Sequence, residues 1–183
     1  MNKLATLASA MLLSFSVNAA QEVSGVAVPD NVSVEGASLN YQGAGVRSKF
    51  FIDLYVGSLF TQTANKDVVK SQDVSAIRLN IISGLITSEK MVTAINEGFD
   101  GATAGNTAPI SAEIAEFIGI FSAEIAKGDQ FTLVSSPGKG LVTYKNNEKL
   151  STINNEVFRQ AVLSIWLGDK PADDDLKEDM LGL

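Results

Sequence analysis

The chain has 183 residues, a formal net charge of −7, and neither cysteine nor histidine. Those two absences exclude a thiol nucleophile, an imidazole base, a Ser-His-Asp triad, a disulfide framework and a conventional zinc site. An acidic balance without any strongly basic stretch makes nucleic acid and anionic membrane surfaces poor partners.

The first residues read as an export signal. Lys3 precedes the short apolar run Leu4 to Val17, and Val17-Asn18-Ala19 offers a small-x-small cleavage site, so residues 1–19 are expected to be a signal peptide cleaved after Ala19. The run falls short of the about 20 residues that a spanning helix needs, so a stable membrane span is not expected. Without cysteine, a lipid anchor has no attachment point. The expected location is periplasmic or secreted, with residues 20–183 forming one domain.

Along that domain, Val23–Val28, Ser38–Arg47, Lys49–Phe60 and Ala76–Ser83 read as strands, the last from Ile77, Leu79 and Ile81 alternating with Arg78 and Asn80. Thr87–Phe99 reads as a helix with Thr87 or Ser88 as N-cap. Pro109–Ala126 reads as a longer one, because Ile110, Ile114, Phe117, Ile118, Phe121 and Ile125 recur at helical spacing. Phe131–Ser135 and Leu141–Lys145 form a hairpin through Pro137-Gly138-Lys139-Gly140, and Asn146-Asn147 makes the next turn. Asn154–Leu167 is an amphipathic helix capped by Gly168, and Pro171–Leu181 is a last short one. Strands, helices, a hairpin and more helices describe an α+β domain, an antiparallel sheet with helices packed on one face.

Few residues carry chemistry. Arg47 is delivered by Gly43 and Gly45 into a long apolar run, where a guanidinium suits an anion in a partly dry site. Asp173 to Asp175 read as helix capping, since a calcium loop needs ligands at alternating positions around a glycine turn. Ser136 to Gly140 lacks the spacing of a phosphate loop and reads as a plain turn.

Three segments, GAGVRSKFFIDLYVGSLF, AKGDQFTLVSSPGKG and VFRQAVLSIWLGDKPADDDLKEDMLG, together resemble the bacterial secreted branch of the chalcone isomerase-like family. The resemblance runs from about Ser38 to Leu181 and implies an open-faced β-sandwich, a large antiparallel sheet under a layer of helices. Members of that fold include plant enzymes that cyclise chalcones, plant fatty-acid binders without catalysis, and haem-binding relatives. Arg47 matches the enzymes' arginine. Tyr55 stands where they carry a threonine and resembles the fatty-acid binders, while Lys90 falls near their tyrosine and Glu97 near their asparagine. The resemblance therefore implies a noncatalytic binder of an apolar, carboxylate-bearing molecule such as a fatty acid, with Arg47, Tyr55, Lys90 and Glu97 as ligand-binding residues and no cofactor. An isomerase of the chalcone type, a haem binder using tyrosine or methionine, and a protein-interaction domain are the alternatives.

Strand geometry sets a condition on that site. Lys49, Phe51, Asp53 and Tyr55 would share one face of a continuous strand, with Asp53 repelling an anion unless it meets solvent, Lys49 or Arg78. Arg47 and Tyr55, eight residues apart, would then lie about 26 Å from each other at about 3.3 Å per residue, so a shared carboxylate requires a bend or bulge near Ser48.

Overall fold

The computed structural model describes residues 21–183; the expected signal peptide lies outside the described residues. Strands β1 (Gln21–Val23) and β2 (Val26–Val28) form a small hairpin. The single strand expected over Val23–Val28 is broken because Ser24 and Gly25 take φ of +48° and +78°, a two-residue reversal. The main sheet has seven strands in chain order, each antiparallel to the next: β3 (Asn31–Val34), β4 (Ala37–Lys49), β5 (Ile52–Thr61), β6 (Ser75–Ile81), β7 (Gln130–Ser136), β8 (Gly140–Lys145) and β9 (Glu148–Ile153). Sequence reading had no counterpart for β3 or β9, which are short and polar outside one or two apolar positions.

Four helices cover one face: α1 (Ser88–Ala102), α2 (Ser111–Ile120), α3 (Glu156–Leu167) and α4 (Asp174–Leu181). Thr87, Asn155 and Asp173 cap α1, α3 and α4, each side chain accepting a backbone N–H of the first turn. The helix expected over Pro109–Ala126 ends early. A 3-10 turn occupies Ala108–Ile110, and past Ile120 the Ser122 hydroxyl donates to the Gly119 carbonyl while Ser88 donates to that of Phe121. Phe121 and Ile125 remain buried without being helical, so their spacing reported burial and not the helix itself.

The core lies between sheet and helices. Leu59, Ile77, Leu79 and Leu133 meet Ile95, Phe99, Phe117, Phe158 and Val162, all nearly inaccessible. A smaller apolar patch on the other face, including Val56, Phe60, Ala76 and Val134, is partly covered by Val28 of the first hairpin. One buried cation crosses the main interface: Arg159 is wholly inaccessible, and donates to Ser135 Oγ at 2.7 Å and to both Glu156 carboxylate oxygens. It fixes α3 to β7 with its charge balanced, as a buried guanidinium requires.

Helix α4 lies directly on β4. A Cβ at Gly43 would come 2.1 Å from the Asp179 carbonyl oxygen, and one at Gly45 would come 2.4 Å from the Asp179 carboxylate. The glycine-loosened approach to Arg47 therefore makes room for a helix, a close packing that any side chain at these positions would block.

Candidate functional site

Arg47 and Tyr55 are brought together by a hairpin, not a bent single strand. The strand expected over Lys49–Phe60 begins only at Ile52, because Phe50 and Phe51 form a two-residue reversal with φ of +53° and +64°, and Lys49 pairs with Ile52 across it. Arg47 becomes the direct cross-strand partner of Tyr55. A register shift beside Arg47 and Ser48, with Leu54 left unpaired to β4, supplies the bulge that the spacing required. It also overturns the expected parity. Ile52, Leu54 and Tyr55 border one cleft, whereas Phe51 points into solvent and Asp53 is exposed, its carboxylate accepting from Ser48 Oγ at 2.7 Å. Asp53 pairs with neither Lys49 nor Arg78.

That cleft has a volume of about 520 Å³, within the roughly 300–1,000 Å³ usual for small-molecule sites. One wall is the β4–β5 hairpin. The second is the loop bearing Leu85 and Ile86, and the third is a stripe of α1 on which Lys90, Ala94 and Glu97 recur at i, i+4 and i+7. Tyr55, Lys90 and Glu97, expected from sequence as ligand-binding residues, thus line one space. Arg47 does not line it.

Arg47 is engaged elsewhere. Its Nη1 lies 2.5 Å from Asp173 Oδ2, and the other oxygen of Asp173 caps α4 by accepting from Leu176 N at 2.9 Å. Arg47 therefore latches α4 to β4 while sitting beside Tyr55. Asp173 was expected only as part of a capping cluster, which it is; its partner across 126 residues had no signal in the sequence.

Tyr55 is buried, and its hydroxyl oxygen accepts from Trp166 Nε1 at 3.0 Å. Burial pushes the phenol above its ordinary value, against the Trp166 hydrogen bond and the Arg47 charge, so it stays protonated at neutral pH. With the oxygen accepting from the indole, the phenolic proton is left to donate. Trp166, the single tryptophan, falls within the helix expected over Asn154–Leu167, and the signal available for its role is that a buried indole N–H needs an acceptor. At the mouth, Lys90 Nζ donates to the Leu85 carbonyl at 3.0 Å, tying the start of α1 to the neighbouring loop. Among the described residues, no group of carboxylates is arranged to hold a metal ion.

The sequence profile described as chalcone isomerase-like matches residues 20–182. The chain belongs to the chalcone isomerase-like family. A similar solved structure is a fatty-acid binding protein of Arabidopsis thaliana, AtFAP1, with a TM-score of 0.63 at 16% identity over 83% of this chain and 96% of that one. At that identity the likeness shows the fold alone, and the fold it shows is the antiparallel sheet under helices expected from sequence. No curated protein sequence matches the chain.

Proposed function

We propose that this family member is a noncatalytic carrier that holds an apolar, carboxylate-bearing molecule of the fatty-acid class in the cleft between the β4–β5 hairpin and α1. The observation that carries the reading is the cleft itself: apolar walls from Ile52, Leu54, Leu85 and Ile86, with Tyr55 and Lys90 among the residues that line it. That the similar solved structure is of a fatty-acid binding protein supports the ligand class. In this reading Tyr55 donates to the ligand carboxylate, Lys90 supplies a cation on the same wall, and Glu97 restricts which polar groups enter. Arg47 acts as a positioning residue, holding α4 and keeping positive charge beside the phenol. Export by the segment 1–19 belongs to the same proposal and places the carrier outside the cytoplasm.

Native mass spectrometry of the purified protein, followed by calorimetric titration with a C16 fatty acid, tests the reading. A bound acid whose affinity falls about tenfold in Tyr55→Phe is expected, the loss corresponding to one hydrogen bond to a charged group. A bare-chain mass together with no heat of binding would overturn it. Turnover in a chalcone cyclisation assay would replace it with the isomerase.

A further inference from the structure

The cleft mouth carries three unfavourable features in one place. Phe50 and Phe51 hold left-handed backbone angles, which bulky residues adopt at a cost of about 1 kcal/mol or more each. Both rings also face water, at 83% and 106% of full exposure, with Ile52 at 41% and Leu85 at 50% beside them. An Asn-Gly pair would make the same turn without strain and without exposing apolar surface. Sequences keep such local conflicts where a site uses them.

The charges around this tip are of both signs. Lys49 lies 5.9 Å from the Phe50 ring centroid, Lys90 stands across the mouth, and Glu89 borders the same opening. Asp53 is turned away to the Ser48 hydroxyl. A rim of cations and a carboxylate around exposed aromatic rings complements a zwitterionic headgroup layer, where phosphates meet the lysines, amines meet the glutamate and the rings enter the acyl boundary. It does not match an anionic surface, which the net charge of −7 repels.

We infer that the Phe50-Phe51 hairpin tip docks the cleft mouth onto a zwitterionic phospholipid bilayer, so that a ligand chain passes between bilayer and cleft without crossing water. The docking stands on the tip alone; the transfer step rests on the carrier reading above. The rings mark the depth of insertion at the headgroup boundary.

The test uses the full chain and the double variant Phe50→Asn/Phe51→Gly, whose turn is the favoured one, so loss of fold does not confuse the result. Ligand-free protein is sedimented with phosphatidylcholine/phosphatidylethanolamine vesicles. Partition of the wild type is expected to exceed that of the variant about tenfold or more, and added phosphatidylglycerol is expected not to strengthen it. In a second assay, a fluorescent fatty acid moves from protein to vesicles. The wild-type rate is expected to rise with vesicle concentration and the variant rate to be independent of it. Equal partition of the two proteins, binding only to anionic vesicles, or tip-dependent self-association in place of vesicle binding would each overturn docking. Vesicle partition without fatty-acid binding would retain docking and remove the carrier reading.

Discussion

The two ends of the sheet–helix interface are built differently from the same helix. Toward its C-terminal end, α1 buries Phe99 in an aromatic cluster with Phe117, Phe121, Phe131 and Phe158, whose ring centroids lie 4.9–6.1 Å apart. Toward its N-terminal end, α1 stands off the hairpin and leaves the cleft. The helix buries one stripe, Met91, Ile95 and Phe99, along its whole length, and presents the adjacent stripe, Lys90, Ala94 and Glu97, to the open space. In the proposed reading, stability and binding fall to neighbouring stripes of one helix, and substitutions should separate them.

The largest effect is expected at the closed end. Phe117→Ala removes a wholly buried ring from the cluster and should cost about 3–5 kcal/mol in denaturant unfolding, enough to threaten the fold. Gly43→Ala should cost about 1–3 kcal/mol, because its methyl group would displace the backbone of α4. Tyr55→Phe leaves the Trp166 indole N–H without its acceptor and should cost about 1–2 kcal/mol, in addition to its effect on the ligand. At the small end, Arg47→Gln breaks a partly exposed ion pair and should cost about 1 kcal/mol or less, read from the same unfolding curves.

A pH series tests the α3 anchor in the same way. The Arg159 hydrogen bond holds the Glu156 carboxyl below its ordinary 4.5. Its contribution to stability is therefore fully present above the unfolded value of 4.5 and is lost as pH falls through the lower folded value. Unfolding free energy of the wild type should decline across that acid window, and Glu156→Gln should flatten the decline. An unchanged acid slope in that variant would remove Glu156 from the account.

Much of this arrangement was legible in the sequence, for identifiable reasons. The alternation of Ile77, Leu79 and Ile81 marked the central strand correctly because one face of it is wholly buried. The approach of Arg47 to Tyr55 was foreseen as needing a bulge near Ser48, and the register shift stands there. The reversal at Phe50-Phe51 was not foreseen, since two aromatic residues carry a strand preference and no turn chemistry. The same reversal turns Phe51 out of the expected face. Gly43 and Gly45 were read as the loosened backbone that delivers Arg47; what they make room for is α4, about 130 residues later, and local pattern holds no information about contacts so distant. Lys90 and Glu97 were placed beside Tyr55 through resemblance, and the cleft collects all three.

In the proposed function, ligand binding resides in the cleft and Arg47 serves the α4 latch. Titration of a C16 fatty acid into Ala94→Trp and Arg47→Gln, side by side with the wild type, tests it most directly. Ala94 is exposed on the cleft wall, so an indole there fills the space with little expected cost in stability. Affinity is expected to fall at least about tenfold in Ala94→Trp and to change no more than about twofold in Arg47→Gln. Retained affinity in Ala94→Trp with loss in Arg47→Gln would contradict it.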